Sequence, residues 1–337
     1  MIFKYPYKFP LELGQELSNF ELAYTTHGTL NADSSNVLWI CHALTGNADP
    51  TDWWDGLVGD GNYYDPKDWY IVCVNVLGSH YGSTNALSIN PETNQPYFHT
   101  FPEVTIRDNI SAFELLREHL NIDKIHTLIG GSLGGQQAVE WAVTNPDLIQ
   151  NLVLIATNAV FSPWGIAFNE SQRMAIKSDA TWQNQSPEAG LNGMKVARSI
   201  ALLSYRNYDT YDFTQARDSN DQIADFRAAG YQQYQGDKLA KRFDAFSYWA
   251  LTKIMDSHNV GRNRGSAITA LKRILAKTLV IGISSDILFP PTEQRFLAKY
   301  IPDAEYQEIN SLYGHDGFLI EYKQLRQILG SWYKNSK

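Results

Sequence analysis

The clearest chemical signal in the chain is Gly130–Gly134, where a serine stands between glycines in the pattern G-x-S-x-G. Ile125–Ile129 predicts a buried strand before it, and Gln136–Ala142 predicts a helix after it. Ser132 is therefore predicted to lie on a sharp strand-to-helix turn, where side chains in place of the glycines would clash. Such a turn exposes the hydroxyl and directs backbone N–H groups of the helix toward a developing oxyanion. A plain glycine-rich loop is the alternative, and the flanking strand and helix patterns argue against it.

A serine hydroxyl needs a general base, and in this type of sheet the partners follow in the chain order Ser, Asp or Glu, His. His315 lies in a glycine-flanked loop after the predicted strand Glu305–Ile309. Asp286 directly follows another predicted strand. Its carboxylate can accept the Nδ1–H of His315, fixing the tautomer and stabilising the imidazolium. Taken singly, each residue is typical of a solvated loop, but their order predicts a catalytic triad of Ser132, Asp286 and His315.

A second signal is the sequence CHALTG at Cys41–Gly46, directly after an apolar run. In this architecture the loop after that early strand supplies the second oxyanion-hole N–H. We predict Leu44 as this donor, paired with the N–H of Leu133. His42 could instead simply cap a turn, and the loop alone does not distinguish an esterase from a transferase.

The apolar runs that must position these residues predict a parallel sheet. Continuous apolar strands alternating with helical patterns such as Ile106–His119 and Thr292–Tyr300 indicate an α/β fold, mostly parallel with helices on both faces. Both cysteines, Cys41 and Cys73, lie in these runs and are predicted to be buried strand thiols. The predicted strands are Asn36–Cys41, Tyr70–Val74, Ile125–Ile129, Leu152–Ile155, Thr278–Ile283 and Glu305–Ile309.

Residues 161–264 differ from the rest because they lack strand-like runs and are rich in Gln, Asn, Asp, Tyr and Arg. We predict that they form a helical cap inserted into an α/β core made of residues 1–160 and 265–337. Such caps shape a substrate tunnel and exclude water. An extra helical layer with no role in the site is the alternative. The predicted cap helices are Ser171–Ser178, Gly193–Leu203, Asp221–Gly230 and Lys238–Asp256.

Composition excludes several classes of protein. The chain has 337 residues, of which 44% are hydrophobic and 19% charged, which is ordinary for a globular protein. A net charge of −8 without a basic stripe argues against a nucleic-acid binder, so an anionic substrate would need local cations. No signal-peptide pattern or membrane-length apolar stretch occurs, which predicts a cytoplasmic protein without a membrane partner. No metal site is predicted.

Seven segments together resemble the homoserine O-acetyltransferase family of α/β-hydrolase-fold enzymes. The resemblance covers most of the chain and is densest in residues 36–160 and 278–320. The segments are CHALTG (41–46), NVLGSHYGST (75–84), SINPETNQPY (88–97), FPEVTIRD (101–108), GGSLGGQQAVEWA (130–142), SSDILFPP (284–291) and YGHDGFL (313–319).

The resemblance implies transfer of an acetyl group from acetyl-CoA to the hydroxyl of L-homoserine, an entry step to methionine. Ser132 would carry the acetyl group in a ping-pong reaction, with His315 acting first as base and then as acid. It also implies that acetyl-CoA is a co-substrate rather than a permanently bound cofactor. A homodimer assembled through the cap helices is implied as well.

The family's substrate contacts carry over to Arg198, in the pattern AR-x-I-A-x-L-S-Y, and to Asp316 beside the catalytic histidine. An amino-acid substrate brings a carboxylate for a guanidinium and an ammonium for a carboxylate. Arg198 could instead be a solvated cap arginine, and Arg206 is its rival for the carboxylate. The chain departs from the family pattern at Gly82–Ala86, where GSTNA replaces a GSTGP-type run, and at Asn47–Asp49. The cap is also shorter than is typical for the family.

Two other activities fit the same triad. Relatives of the family use succinyl-CoA or acylate serine, although the loop at Cys41–Gly46 resembles that of the acetyl users. A serine esterase, with water as the acceptor, needs no amino-acid clamp, so Arg198 and Asp316 argue against it. A non-catalytic binding protein would have lost a member of the triad, and none is lost.

Overall fold

An eight-stranded sheet forms the centre of the structure, a computed structural model that describes residues 1–334. Its spatial order is β1-β2-β4-β3-β7-β8-β9-β10, and the six strands from β4 to β10 in that order run parallel. β5 (Ile89–Asn90) and β6 (Gln95–Pro96) form a separate small hairpin. The strands of the main sheet are β1 (Ile2–Pro10), β2 (Glu16–His27), β3 (Val37–Cys41), β4 (Tyr70–Val74), β7 (Ile125–Gly131), β8 (Ile149–Ile155), β9 (Lys277–Ile283) and β10 (Ala304–Ile309).

All six strands predicted from apolar runs are confirmed, and they are the six parallel ones. The two antiparallel strands at the edge, β1 and β2, were not predicted. The register between them shifts between Tyr5 and Lys8, beside Pro6, whose nitrogen has no hydrogen to donate to the ladder. Exposed residues dominate β1, and half-buried residues alternate with buried ones along most of β2, so neither strand reads as a continuous apolar run.

The sheet separates two apolar cores because successive side chains of a strand point to opposite faces. On β3, Trp39 contributes to one core while Leu38 and Ile40 contribute to the other. Helices cover both faces, so the prediction of an α/β fold with a mostly parallel sheet is confirmed. The helices are α1 (Pro50–Trp53), α2 (Ile106–His119), α3 (Leu133–Thr144), α4 (Pro163–Lys177), α5 (Leu191–Tyr205), α6 (Tyr208–Thr214), α7 (Arg227–Ala240), α8 (Ala245–Asp256), α9 (Ala267–Leu271), α10 (Pro291–Tyr300), α11 (Gly317–Ile320) and α12 (Tyr322–Lys334), with 3₁₀ turns at Phe98–Thr100 and Gly314–Asp316.

Residues 161–264, all of them described, contain the five helices α4 to α8 and no strand. The predicted helix Lys238–Asp256 is wrong as one element, because α7 ends at Ala240 and α8 begins at Ala245. Asp244 makes the break: its side chain accepts a hydrogen bond from the backbone N–H of Ser247 at 2.7 Å and caps α8.

Other helix boundaries of the cap also differ from the prediction. α4 begins at Pro163, eight residues before the predicted start at Ser171, with the side chain of Ser162 as its N-cap. The predicted helix at Asp221–Gly230 is wrong in its first half, since α7 begins only at Arg227. α6 was not predicted.

A buried ion-pair network fixes the chain where it leaves the cap. Glu140 on α3 is 1% exposed and pairs with Arg107 at 3.0 Å and with Arg264 at 2.7 Å. Glu12, in the turn between β1 and β2, pairs with Arg107 and with Arg262. Because each carboxylate joins two guanidinium groups, the cap exit, α2, α3 and the edge hairpin are tied together. Within residues 1–334 no helix has both the length and the apolar character needed to cross a membrane.

Candidate active site

The turn between β7 and α3 places Ser132 in a strained backbone conformation, with φ 57° and ψ −126°. Such a conformation persists in a non-glycine residue only where the surroundings enforce it. Here the backbone packing does so: a Cβ on Gly130 would lie 2.2 Å from the carbonyl oxygen of Gly134. A Cβ on Gly134 would lie 2.1 Å from the carbonyl oxygen of Cys41. Both positions therefore require glycine, and the first turn of α3 lies directly against the end of β3.

The structure brings Ser132, His315 and Asp286 into one buried hydrogen-bonded chain. The Oγ of Ser132 lies 2.8 Å from Nε2 of His315, and Nδ1 of His315 lies 2.6 Å from Oδ2 of Asp286. A carboxylate can only accept, so the proton of the neutral imidazole is on Nδ1. Nε2 is thereby left as the acceptor for the serine O–H, which is the arrangement that a general base needs.

Asp286 and His315 are held by further contacts. Oδ1 of Asp286 accepts from the backbone N–H groups of Leu288 and Phe289, at 2.8 and 2.9 Å. The ring of Phe289 stacks on the imidazole with centroids 5.0 Å apart, and Phe318 contacts it at 5.4 Å. Both the carboxylate and the plane of the imidazole are thus fixed before any substrate arrives.

The two predicted oxyanion donors belong to neighbouring segments, the start of α3 and the loop after β3. Leu133 is the first residue of α3, so its N–H has no acceptor inside the helix. Leu44 lies in the loop after β3 and lines the same cleft as Ser132. That loop is closed onto α3 because Nε2 of Gln137 donates to the carbonyl of His42 at 3.2 Å.

His42 is a buried brace of this loop. Its Nε2 accepts from the backbone N–H of Val76 at 3.0 Å, so Nδ1 carries the hydrogen and donates to the carbonyl of Ala43 at 2.8 Å. Burial lowers the pKa of His42 to about 4, so the ring is neutral near pH 7. The histidine therefore connects the loop after β3 to the segment after β4 without adding a charge.

A cleft of about 200 Å³ opens above Ser132. Its apolar wall is formed by Trp53, Phe318 and Leu319. Its charged groups are Arg198, Asp316 and Arg242. Arg198 is half-buried, and its guanidinium lies 5.3 Å from the ring centre of Tyr205. Tyr205 and Arg242 were not predicted. Tyr205 belongs to the quoted Arg198 pattern, which could have pointed to it.

The two rival arginines occupy different positions. Arg206 pairs with Asp316 at 3.1 Å and lies over the ring of Tyr313. It lines a neighbouring pocket rather than the cleft above Ser132. Of these two, Arg198 shares a cavity with the serine, while Arg206 contacts the carboxylate of Asp316.

A second carboxyl group lies near the triad acid and was also not predicted. Glu293 on α10 accepts a hydrogen bond from Nδ2 of Asn158 at 2.7 Å, and Oδ1 of Asn158 accepts from Gln136 on α3 at 3.2 Å. Burial, with a smaller contribution from the charge of Asp286, raises the pKa of Glu293 to about 7. Nothing in the sequence marks Glu293, since a glutamate in a first helical turn is ordinary. Within the described residues no group of three or more His, Cys, Asp and Glu side chains could hold a metal ion.

Comparison with known proteins agrees with this geometry. A family profile described as the alpha/beta hydrolase fold matches residues 36–322. A homoserine O-acetyltransferase of Cyclobacterium marinum is 51% identical over 323 residues, covering 96% of this chain and 92% of that protein. Among solved structures, the homoserine O-acetyltransferase from Staphylococcus aureus is 30% identical with a TM-score of 0.80, covering 98% and 94% of the two chains. The acetyl esterase MekB is 27% identical with a TM-score of 0.86, covering 98% and 95%.

The position of Glu293 predicts a pH-dependent effect on stability. Its pKa is about 7 in the folded protein and ordinarily 4.5, so the folded state binds more protons between these values. Stability is therefore lost as the pH rises through this window. Glu293→Gln keeps an acceptor for Asn158 and cannot ionise. We expect its melting temperature to exceed that of the wild type by about 2–4 °C at pH 8 and to be nearly equal at pH 5.

The matched control is Glu16→Gln, which removes the same charge from an exposed position on β2. Its melting temperature should stay within about 1 °C of the wild type at both pH values. An equal shift of Glu293→Gln at pH 5 and pH 8 would show that ionisation of this carboxyl is not the cause.

Proposed function

The chain belongs to the homoserine O-acetyltransferase family within the α/β-hydrolase fold, and from this premise we propose that it transfers an acetyl group from acetyl-CoA to the hydroxyl of L-homoserine. The reaction is ping-pong, with acetyl-Ser132 as the intermediate. In the family this is an entry step to methionine, which we propose for this chain as well.

The observation that supports this proposal most is the pair of opposite charges in the cleft of the nucleophile. Arg198 and Asp316 line the same cavity as Ser132 and His315. A free amino acid carries one carboxylate and one ammonium, and these groups match a guanidinium and a carboxylate. The triad by itself serves hydrolases equally well, so the paired charges are what favour an amino-acid acceptor.

In the first half-reaction His315 takes the proton of the Ser132 hydroxyl while Oγ attacks the thioester carbonyl. The resulting oxyanion is stabilised by the N–H groups of Leu44 and Leu133. As the tetrahedral intermediate collapses, the carbon–sulfur bond breaks and His315 gives its proton to the leaving thiolate. CoA departs as the free thiol, and the acetyl group stays on Ser132.

In the second half-reaction the hydroxyl of homoserine takes the place of the serine hydroxyl. Arg198 binds the substrate carboxylate and Asp316 its ammonium group, which aims the side-chain hydroxyl at the acetyl carbon. His315 removes the hydroxyl proton as the new ester bond forms, and returns it to Oγ of Ser132 as the acyl-enzyme bond breaks. Arg206 orients Asp316 through their ion pair at 3.1 Å.

A serine esterase is the second candidate, because a solved acetyl esterase shares the fold over most of both chains. The same triad hydrolyses the acetyl-enzyme when water is the acceptor. Use of succinyl-CoA or of serine as acceptor would keep the mechanism and change the specificity. These candidates differ in which donor and which acceptor the enzyme requires.

Thiol release from CoA esters tests the proposal. We expect sustained release from acetyl-CoA, beyond one equivalent per enzyme, only when homoserine is present, together with formation of O-acetylhomoserine. Ser132→Ala should lower the rate by at least about 10³-fold, because it removes the nucleophile. Sustained release over many turnovers without an acceptor would favour the esterase, and a preference for succinyl-CoA or serine would assign a sister specificity.

Arg198→Ala tests the amino-acid clamp. Loss of a charge-assisted contact to the carboxylate should raise the KM for homoserine by about 10-fold or more. Acetylation of Ser132 by acetyl-CoA, followed as a burst of thiol without acceptor, should be largely intact. Arg217→Ala, on the surface of the cap, serves as the control and should change neither quantity. A collapse of the burst in Arg198→Ala would contradict the assignment.

We also propose a homodimer formed through the cap. Val196 and Leu203 are 53% and 51% exposed and lie seven residues apart, on one face of α5. Tyr234 on the neighbouring helix α7 is 60% exposed. Sedimentation should give twice the chain mass, and Val196→Glu should shift the protein to monomer. A monomeric wild type at micromolar concentration would refute this assembly.

A further inference from the structure

Arg242 is a cation at the mouth of the cleft that no step of the proposed reaction uses. Its side chain is exposed and lines the same cavity as Ser132. Its Nη1 donates to the carbonyl oxygen of Thr45 at 3.0 Å and to the hydroxyl oxygen of Tyr81. Thr45 directly follows Leu44, the predicted oxyanion donor. The guanidinium therefore joins the cap to the loop on which the oxyanion hole depends.

The charge of Arg242 is not neutralised by the protein. Both of its hydrogen-bond partners are neutral oxygens, and within residues 1–334 no carboxylate forms an ion pair with it. Arg206, close to the same cleft, is instead paired with Asp316. Because Nη1 makes both contacts, the N–H groups on Nη2 and Nε are free to bind a ligand. In a chain with a net charge of −8, such a guanidinium is a local site for an anion.

The segment that carries Arg242 is held rigidly although the side chain is exposed. Phe243 is buried, and its ring contacts those of His80 and Tyr81 at 5.4 and 5.5 Å. Asp244 caps α8 and pairs with His80 at 2.7 Å. The backbone at Arg242 is thus anchored by the two residues that follow it, and the guanidinium by its hydrogen bonds to Thr45 and Tyr81, which reduces the entropy lost on binding.

The two arginines that line the cleft differ in burial. Arg198 is half-buried and Arg242 is exposed, so the inner position suits the acceptor amino acid and the outer one suits a group that extends toward solvent. An acyl-CoA has this form, since its thioester must reach Ser132 while its phosphates remain outside. We infer that Arg242 binds a phosphate group of the acyl-CoA donor. This inference rests on the proposed function and names the donor-side contact of the same site.

A consequence is that donor binding and the oxyanion loop share one side chain. The guanidinium that binds the phosphate also donates to Thr45, next to Leu44. A carboxylate on the acyl group, as in succinyl-CoA, is the other anion that could reach Arg242. The two sources are separated by comparing donors that differ only in the phosphates or only in the acyl group.

The experiment measures KM and kcat for three donors, acetyl-CoA, succinyl-CoA and S-acetyl-pantetheine, which lacks every phosphate. Homoserine is kept saturating. For Arg242→Gln we expect the KM for acetyl-CoA to rise about tenfold more than the KM for S-acetyl-pantetheine, with kcat changing alike for the two. Arg242→Lys should recover part of the difference, since an ammonium keeps the charge and loses the fork. Added salt should raise the acetyl-CoA KM of the wild type more than that of Arg242→Gln.

Lys241→Gln is the matched control, because it removes the same charge from the adjacent exposed residue, which does not line the cleft. We expect its KM for acetyl-CoA to equal that of the wild type. An equal rise in the KM of Lys241→Gln for acetyl-CoA would overturn the inference, because it would show that the general positive charge of this segment attracts the donor without a direct contact. If Arg242→Gln impairs the reaction equally with acetyl-CoA and with S-acetyl-pantetheine, Arg242 only supports the loop at Thr45 and does not bind a phosphate. If KM and kcat are unchanged, Arg242 has no role in the site.

Two further results separate the inference from the function on which it rests. A loss confined to succinyl-CoA would assign Arg242 to the acyl group and overturn the phosphate contact. Wild-type protein that cleaves p-nitrophenyl acetate but is acylated by no CoA ester would overturn the proposed function and the inference together. If the wild type is acylated by acetyl-CoA and only the Arg242 variants are impaired, the defect bears on the role of Arg242 and leaves the proposed function intact.

Discussion

The close approach of Gly134 to the carbonyl of Cys41 is the constraint on which the site depends. With no room for a Cβ, the first turn of α3 lies directly on the end of β3. The backbone can reach that position only by turning sharply at Ser132, which explains its φ of 57°. The same contact brings the start of α3 next to the loop at residues 41–46. Ser132 and the loop at residues 41–46 are therefore positioned by one piece of backbone packing rather than by flexible side chains.

The loop at residues 41–46 is held from two sides by groups with different electrostatic character. On the core side the brace is His42, a buried ring kept neutral by the lowering of its pKa to about 4. On the cap side it is Arg242, an exposed cation that reaches Thr45. A charged brace inside the core would have required a buried counter-charge. At the rim, solvent stabilises the guanidinium and leaves its charge available.

The sequence predicts the parts of this protein in which one local pattern determines the structure. The six parallel strands are buried on both faces and read as apolar runs, whereas β1 and β2 lie at the edge and do not. Ser132, Asp286 and His315 follow from chain order and strand ends, and the structure joins them by hydrogen bonds of 2.8 and 2.6 Å. The break at residues 241–244 contains neither glycine nor proline, and only Asp244 as an N-cap signals it.

Such local patterns do not predict contacts between segments that are distant in the chain. The pairing of Arg206 with Asp316 joins residues 110 positions apart in the chain, and that of Arg242 with Thr45 joins residues 197 apart. A single sequence gives the identity of each arginine but not which carboxylate neutralises it. The distinction matters because it decides which cations remain available for ligands.

The distribution of charge in the cleft also bears on how an acidic protein can bind an anionic ligand. A chain with a net charge of −8 repels a polyanion overall, yet beyond a Debye length of about 8 Å at physiological salt that repulsion is largely screened. Capture is then decided by charges within a few ångströms of the bound phosphate. An arginine already paired with a carboxylate contributes little there, because its field is cancelled locally. The separation of Arg206, which is paired, from Arg198 and Arg242, which line the cleft, is therefore the feature that makes this cleft suitable for anions in a protein whose overall charge opposes them.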